Sequence, residues 1–457
     1  MTRFDSELRS AGMNAADSAS KGALLDKLMR ELRALHGSSL EQHCAFFIPG
    51  RIEVLGKHTD YAGGRSLVCA IERGICLVAA PRADAQVHVV DAGSKLEARL
   101  ALNPDQAMEC GHWSSYAVTV ARRMARDFST AYTGAEIVFA SDLPRAAGMS
   151  SSSALVIAIF SALAELNSLP RAEIYYRHIR SREDLASYLA SIENGTDFAS
   201  FSGDRGVGTL GGSQDHTAIL CSRPGFLRQY SFCPTRLERE IPIPEQLTFV
   251  IGVSGVKADK TGNARDSYNR TSLAARTVLD LWQKATGRED PSLGAVLSSQ
   301  PSARERLDQI VRESTESAFP QEILAKRFTQ FAEESTEIIP AAAEAIARGD
   351  LERFGKLVDR SESLAETLLG NQIPETVELA RSARTRGAAA ASAFGAGFGG
   401  SVWALVSSAR AEEFRDAWAE SYRSRYPDRS EASQFLISGA GPSLIQFDGK
   451  PLVGRNW

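Results

Sequence analysis

The stretch that decides the fold of this 457-residue chain is Pro144-Arg-Ala-Ala-Gly-Met-Ser-Ser-Ser-Ser-Ala154. An apolar run at 135–139 precedes it, and helix-forming residues follow it almost without interruption over 154–166. This order predicts a strand, a loop of small residues and a buried helix. The free N–H groups and the positive dipole end of such a helix start suit an anion such as phosphate. Serines that only cap a core helix would give the same pattern.

The chain lacks the common phosphate-binding and dinucleotide-binding motifs. No Gly-x-x-x-x-Gly-Lys-[Ser/Thr] string occurs in it. Two Gly-x-Gly-x-x-Gly strings, at 206–211 and 395–400, lack the strand, turn and helix order that a Rossmann site requires. We therefore expect a phosphate site of another design.

A second informative segment is Gly50-Arg-Ile-Glu-Val-Leu-Gly-Lys-His-Thr-Asp-Tyr-Ala-Gly-Gly64, which has six ionisable side chains between Arg51 and Tyr61. A segment this rich in hydrogen-bonding groups is suited to a polyhydroxylated ligand, because a carboxylate such as Asp60 can accept from two hydroxyls. A solvated loop would have a similar composition.

The overall composition restricts the kinds of molecule that the chain is expected to bind. The chain has 52 Lys+Arg and 56 Asp+Glu, a formal net charge of −4, and no basic block, which argues against a nucleic-acid partner. Its longest apolar stretch, 154–164, is shorter than the roughly 20 residues of a membrane span, and its first residues lack the apolar segment of a signal peptide. The six cysteines show no metal-ligand spacing. We expect a cytoplasmic enzyme that acts on small molecules, with no membrane or nucleic-acid partner.

The second half of the chain has its own pattern. We predict a strand at 247–253, long amphipathic helices between 265 and 370, and a Gly-rich loop followed by an apolar strand at 402–406.

Taken together, these segments resemble the GHMP kinases and, within them, the galactokinases. Residues 50–64 are similar to the sugar-loop signature Gly-Arg-(Val/Ile)-Asn-(Leu/Ile)-(Ile/Leu)-Gly-Glu-His-Thr-Asp-Tyr-Asn-x-Gly, and 144–154 to the nucleotide motif Pro-x-x-x-Gly-Leu-Ser-Ser-Ser-Ala. The family's third motif resembles Phe394-Gly-Ala-Gly-Phe-Gly-Gly400. The three motifs follow one another in the family's order.

The resemblance implies the α+β GHMP kinase fold, with two domains and the active site in the cleft between them. Residues 25–235 are expected to form the N-terminal GHMP domain, with the sugar loop and the Ser-rich nucleotide loop. Residues 236–457 are expected to form the C-terminal, ferredoxin-like GHMP domain. The sequence leaves the oligomeric state open, with a monomer as the simpler expectation.

The resemblance also implies a function: ATP-dependent transfer of the γ-phosphate, with Mg²⁺, to the anomeric hydroxyl of galactose or a related sugar. Asp215 is implied to take or orient the proton of that hydroxyl, and Arg51 to keep Asp215 ionised and to stabilise the developing charge. The residues implied to bind the sugar are Lys57, His58, Asp60, Gly212 and Tyr268. Those implied to bind ATP are Gly148, Ser150, Ser151, Ser152, Ser153 and Ala154. Those implied to hold Mg²⁺ are Ser152 and Glu193.

In the family pattern of the sugar loop, a Glu directly precedes the His, and an Asn lies four positions before that Glu. This chain departs from the pattern at both positions. The chain has Lys57 and Glu53 at these positions. Since the family's Glu touches a hydroxyl at the C6 end of the sugar, one alternative is that Lys57 pairs with the C6 carboxylate of a uronic acid such as galacturonate. The other is that Lys57 and Glu53, four positions apart, neutralise each other and leave a neutral hexose.

Two further points bear on the assignment. Glu193 and Asp215 lie 22 positions apart, farther than the family pattern leads us to expect, so we predict an extra loop near 197–206. A galactokinase-like sugar sensor that binds ATP and sugar without turnover is a further alternative. The presence of Asp215 and of the Ser-Ser-Ala sequence favours an active kinase.

Overall fold

The computed structural model describes residues 2–37, 40–108, 112–128, 132–258, 265–314, 318–447 and 452–453. The strands in this part of the chain are β1 (Cys44–Leu55), β2 (Arg65–Arg82), β3 (Gln86–Asp91), β4 (Leu96–Ala101), β5 (Gly134–Ser141), β6 (Phe226–Ser231), β7 (Arg236–Pro242), β8 (Leu247–Val253), β9 (Ala390–Phe394), β10 (Ser401–Ser407), β11 (Gln434–Ser438) and β12 (Ile445–Phe447).

The α-helices of the same residues connect and cover these strands. They are α1 (Arg3–Ser10), α2 (Ala15–His36), α3 (Ser115–Asp127), α4 (Ser151–Leu166), α5 (Glu173–His178), α6 (Arg182–Asn194), α7 (Gln214–Cys221), α8 (Arg265–Thr286), α9 (Leu293–Ser299), α10 (Ala303–Glu313), α11 (Gln321–Glu333), α12 (Ile339–Ala347), α13 (Leu351–Leu364), α14 (Pro374–Thr385) and α15 (Ala411–Arg425). A π-helical turn, Glu334–Ile338, joins α11 to α12.

The larger sheet has the strand order β12-β1-β2-β5-β3-β4, with β6 paired to another part of β2 and β7 paired to β6. Among the strand pairs of the described residues, β3 and β5 alone are parallel. Helix α2 packs on one face of the long strands and α4 on the other, so β1 is buried along its whole length. A strand covered on both faces requires a nearly continuous apolar sequence, and this makes the charged residues Arg51 and Glu53 of β1 conspicuous.

The smaller sheet is antiparallel, with the order β11-β8-β10-β9. Its chain order, in which helices separate β8 from β9 and α15 separates β10 from β11, is the β-α-β-β-α-β pattern of ferredoxin-like domains. Helices α14 and α15 cover its outer face through Leu379, Trp418 and Tyr422. The predicted strand at 247–253 is β8, and the predicted apolar strand at 402–406 lies within β10.

The two sheets do not divide at the predicted domain boundary of 235/236. Strand β7, which begins at Arg236, pairs with β6 of the larger sheet, and β12 returns from the C-terminal end of the chain to pair with β1. The smaller sheet begins at Leu247. Helices α8, α9, α10 and α11 form a separate helical layer around Trp282 and Phe331.

In the described residues, none of the helices is both long enough and apolar enough to span a membrane.

Candidate active site

A polar cavity lies in the cleft where the C-terminal end of β1 and the 56–64 turn meet helices α6, α7 and α8 and the loop between β9 and β10. The residues that line it are Arg51, Glu53, His58, Asp60, Tyr61, Ser153, Glu193, Asn194, Thr209, Gly211, Gly212, Gln214, Asp215, His216, Tyr268, Gly395 and Ala396. Most of the residues that the sequence selected as catalytic or sugar-binding therefore share one cavity, although they come from three separate parts of the chain.

The predicted catalytic pair is formed in the structure. The Nε and Nη2 atoms of Arg51 lie 2.8 and 2.7 Å from Oδ1 of Asp215, in the first turn of α7. Arg51 also donates through Nη1 to the carbonyl oxygen of Gly148, and its guanidinium lies 5.8 Å from the ring centre of Phe394. Since Arg51 is 1% exposed, it fixes the Asp215 carboxylate in position and joins it to the Ser-rich loop.

Asp60 and Gly212 form a close contact on one wall of the cavity. Asp60 accepts a hydrogen bond from the backbone N–H of Gln214 at 3.0 Å. A Cβ atom at position 212 would lie 2.4 Å from Asp60 Oδ2 and 2.7 Å from the backbone nitrogen of Tyr61. Gly212 is thus required for the backbone to approach the Asp60 carboxylate.

His58 and Tyr268 also line the cavity. The His58 Nε2 atom lies 2.9 Å from the carbonyl oxygen of Ala396, so Nε2 carries the proton, and Nδ1 lies 3.0 Å from the hydroxyl of Tyr61. The rings of His58 and Tyr268 are 5.1 Å apart, and burial raises the pKa of Tyr268 well above its ordinary value. Arg327 of α11 donates to the carbonyl oxygen of His58 and, at 3.3 Å, to Tyr61. Sequence reasoning missed Tyr61 and Arg327 as residues that orient this part of the cavity; the Tyr of the sugar loop was the available signal.

The structure places Lys57 outside the cavity, whereas the sequence leads us to expect it among the sugar-binding residues. Its Nζ atom is 2.6 Å from Ser392 Oγ, 3.4 Å from Ser361 Oγ and 3.4 Å from Glu362 Oε2, and the residue is 1% exposed. The side chain therefore points behind the sugar loop, away from the position where it would contact a sugar. Its charge partner is Glu362, not Glu53.

Glu53 does face the cavity, and it is 3% exposed. Its Oε1 atom is buried and has no hydrogen-bond partner among the described residues. Burial raises the pKa of Glu53 from 4.5 to about 8, although the charges of Arg51 and Lys57 act in the opposite direction. Sequence reasoning noted Glu53 only as a neighbour of Lys57.

A second, larger cavity of about 530 Å³ lies on the other side of the Ser-rich loop. Ser150, Ser151 and Ser152 line its polar end, while its apolar part is formed by Ile75, Leu96, Trp113, Tyr116, Phe139, Leu143 and Leu155. A cavity with an aromatic interior and a helix start at one end suits a nucleotide base and its phosphates. Sequence reasoning missed Trp113, which follows no motif.

The Ser-rich loop is held by the third Gly-rich motif. Gly148 and Ser150 have φ angles of +76° and +59°. A Cβ atom at Gly395 would lie 2.8 Å from the carbonyl oxygen of Gly148, and Ser401 Oγ donates to the Ala147 carbonyl oxygen at 2.7 Å. Gly148 lines the larger cavity, whereas Ala154 is fully buried in the core and lines neither cavity.

The two predicted Mg²⁺ ligands are separated. Ser153 Oγ donates to Glu193 Oε2 at 2.8 Å, and both residues line the smaller cavity, whereas Ser152 lines the larger one. The described residues hold no group of three or more His, Cys, Asp or Glu side chains arranged for a metal. A carboxylate beside a hydroxyl still fits Mg²⁺, which is bound by one or two carboxylates together with phosphate oxygens and water. Glu193 and Ser153 are the pair that fits.

The extra segment between Glu193 and Asp215 packs against α3. Asp204 forms an ion pair with Arg122 at 2.8 Å, and none of residues 197–206 lines either cavity. The predicted loop therefore leaves both cavities open.

Three family models match the chain: the galactokinase galactose-binding signature over 31–81, the GHMP kinases N terminal domain over 115–204 and the GHMP kinases C terminal model over 342–424. The galactokinase of Roseiflexus sp. (strain RS-1) is 27% identical over 389 residues, which are 84% of this chain and 88% of that protein.

Two solved structures have the same fold. Lactococcus lactis galactokinase complexed with galactose superposes with a TM-score of 0.76 at 22% identity, covering 92% of this chain and 99% of the other. L. major mevalonate kinase in complex with R-mevalonate gives a TM-score of 0.52 at 18% identity, covering 87% and 96%. These likenesses confirm the predicted α+β fold.

Proposed function

The chain belongs to the GHMP kinase family, and on that premise we propose that it is an ATP-dependent galactokinase. It transfers the γ-phosphate of ATP to the anomeric hydroxyl of galactose and releases galactose 1-phosphate and ADP. The galactose-binding signature at 31–81 and the galactokinase relative support this assignment over the other branches of the family.

The observation that carries the proposal is the position of the Arg51–Asp215 pair. Arg51 contacts Asp215 in the smaller cavity and the Gly148 carbonyl of the Ser-rich loop. The carboxylate therefore lies beside the boundary between the two cavities, where an acceptor hydroxyl and a γ-phosphate would meet. Phosphoryl transfer depends mainly on such positioning and on electrostatic stabilisation.

In this proposal the galactose occupies the smaller cavity, with its hydroxyls against Asp60, His58 and Tyr268. The anomeric oxygen forms the new bond to the γ-phosphorus as the bond from that phosphorus to the ADP oxygen breaks. Asp215 orients the anomeric O–H and receives its proton, and Arg51 holds the Asp215 carboxylate in place. Ser150, Ser151 and Ser152 bind the phosphates at the start of α4.

Glu193 and Ser153 would hold Mg²⁺, which neutralises phosphate charge when it is bound with ATP. The sequence pointed to Ser152 for this role, but the 2.8 Å contact between Ser153 and Glu193 favours Ser153. We propose that the reaction takes place in the cytoplasm.

The two alternatives have less support. A uronic acid would need a cation for its C6 carboxylate, whereas Lys57 is turned away from the cavity and paired with Glu362. A sensor without turnover would not require the buried contact between Arg51 and Asp215.

The proposal is tested by ADP release with Mg·ATP, using galactose, N-acetylgalactosamine, glucose, arabinose, galacturonate and glucuronate as acceptors. Galactose should be the best substrate, and Asp215→Asn should lower kcat by about 10³-fold, since general-base groups contribute roughly 10²- to 10⁴-fold. The Asp215→Asn protein should still be stabilised by galactose against heat. Best turnover with a uronate, or no turnover with any of the sugars, would refute the proposal.

A further inference from the structure

The side chain of Glu53 points into the sugar cavity from β1. Between residues 51 and 53 the pairing of β1 with β2 is regular, Arg51 opposite Ala70 and Glu53 opposite Val68. Alternate residues of a strand face the same side, so Glu53 follows Arg51 on the side of the cavity, while Ile52 and Val54 pack into the core.

Within the described residues, one oxygen of the Glu53 carboxyl group, Oε1, lacks the hydrogen bond that its burial demands. A buried carboxyl oxygen without a donor costs free energy, and natural proteins rarely leave one in place without a function. In the described part of the chain, Glu53 Oε1 has no such donor.

The cations nearest to Glu53 along the chain are engaged elsewhere. Arg51 donates to Asp215 and to the Gly148 carbonyl. Lys57 donates to Ser392 and pairs with Glu362. Because both cations are committed to other groups, neither of them donates to Glu53, and a polar ligand in the cavity that Glu53 lines can supply a donor to its carboxyl group.

We propose that Glu53 binds the acceptor sugar, with its carboxyl group hydrogen-bonded to a hydroxyl other than the anomeric one. The inference rests on the proposed sugar kinase function. A sugar hydroxyl both donates and accepts, so it satisfies a carboxyl group in either protonation state. Since Arg51 and Asp215 already form the catalytic pair, Glu53 contributes to the binding and selection of the sugar and leaves the transfer step to that pair.

The test compares two variants. Glu53→Met keeps the length of the side chain but cannot form the hydrogen bond, whereas Glu53→Gln keeps both the length and the ability to form hydrogen bonds. Wild type and variants are assayed with galactose and with its 2-deoxy, 3-deoxy, 4-deoxy and 6-deoxy derivatives. Ile52→Val, on the core side of the same strand, is the matched control. The affinity of each protein for ATP and its thermal unfolding are measured alongside.

We expect Glu53→Met to raise KM for galactose by about 10- to 100-fold with little change in kcat, the range for a buried group left unpaired. The penalty should largely disappear for the one deoxy sugar that lacks the bound hydroxyl. Glu53→Gln and Ile52→Val should retain KM values close to that of the wild type. An equal KM rise for every deoxy sugar, or a loss in kcat at unchanged KM, would overturn the proposal.

If Glu53→Met fails to fold, the wild type and Glu53→Gln still decide the question. The carboxyl band of Glu53 in the infrared difference spectrum upon galactose binding is identified by its absence in Glu53→Gln. A shift of this band supports the contact, and an unchanged band refutes it. A wild type that phosphorylates galactose while Glu53→Met behaves identically would refute the role of Glu53 alone. A wild type with no turnover on any sugar would remove the proposed function and this inference together.

Discussion

The charged residues of the 50–64 segment lie on two sides of it, one towards the cavity and one away from it. The two sides differ in whether the charged groups have hydrogen-bond partners within the protein. On the cavity side, Glu53 is buried and has an oxygen without a partner in the described residues. On the opposite side, Lys57 lies among Ser361, Glu362 and Ser392, and the backbone N–H of Gly56 donates to Glu334 at 2.9 Å. Lys57 has protein partners only and supports the fold. Glu53 differs from Glu334 and Glu362, each of which also has one buried oxygen without a partner in the described residues, because Glu53 alone of the three lines one of the two cavities. The side that a residue faces therefore says more about its role than its place in the motif.

The largest expected effect concerns Lys57, on the side of the segment that faces away from the cavity. Lys57→Met should leave the Glu362 carboxylate without its cation and lower the free energy of unfolding by about 3 to 5 kcal/mol, as for other broken buried ion pairs. Since Lys57 lies outside the cavity, the KM for galactose should be unchanged in the folded protein. Urea unfolding and steady-state kinetics measure the two effects separately.

The double variant Lys57→Met/Glu362→Gln is the control for this prediction. Removing both charges should recover most of the lost stability, because no buried charge is then left unpaired. A tenfold rise in KM for galactose with unchanged stability would contradict the structure and restore Lys57 as a sugar contact.

The same contrast shows what the sequence reveals. Strand β8 and the start of α4 follow from local patterns of apolar and small residues, and the cavity that unites Arg51, Asp60 and Asp215 follows from the motifs. The direction of Lys57 could not be derived in this way. Gly56 has a φ of +114°, which turns the chain at that point, and the partners Glu362 and Ser392 are about 300 positions away in the sequence.

Strand β12 shows a second limit. It has three residues, Ile445–Phe447, too few for an alternating pattern to be recognised, and it pairs with β1 at the far end of the chain. Whether a short segment joins one sheet or another is decided by which edge is free in the folded molecule. Both β12 and β7, which lie beyond the predicted boundary at 235/236, pair with strands of the larger sheet.

The next effect is the pH dependence of the folding stability that Glu53, on the cavity side, causes. Burial raises the pKa of Glu53 from 4.5 to about 8, so the folded state holds a proton that the unfolded chain releases between these pH values. The stability of the wild type therefore falls across this window relative to Glu53→Gln, by on the order of 1 kcal/mol per pH unit. Below pH 4.5 the carboxyl is protonated in both states, and the two proteins should be equally stable.

Differential scanning calorimetry of both proteins at several pH values measures this effect. The difference in Tm, variant minus wild type, should be small at pH 5, grow until about pH 8 and then stay constant. Taking the difference removes the contribution of titrating groups that do not interact with Glu53. A difference that does not change with pH would show that Glu53 is ionised in the folded protein and would remove this distinction between the two sides.

The smallest effect separates two neighbouring serines that face different cavities. Ser153→Ala removes the hydroxyl that contacts Glu193 at 2.8 Å and should raise the Mg²⁺ concentration for half-maximal activity by about tenfold, as for other changes around a metal ligand. Ser152→Ala should instead raise KM for ATP by about three- to tenfold, the cost of one hydrogen bond of about 1 kcal/mol, with little change in the Mg²⁺ dependence. Titrations of Mg²⁺ at saturating ATP, and of ATP at saturating Mg²⁺, distinguish the two variants.

If Ser152→Ala were the variant that required more Mg²⁺, the contact between Ser153 and Glu193 would be structural, and Ser152 would be the ligand that the sequence first indicated. Since both substitutions are the same and the residues are adjacent, a difference between them reflects the different surroundings of the two hydroxyls, of which that of Ser153 is buried beside Glu193.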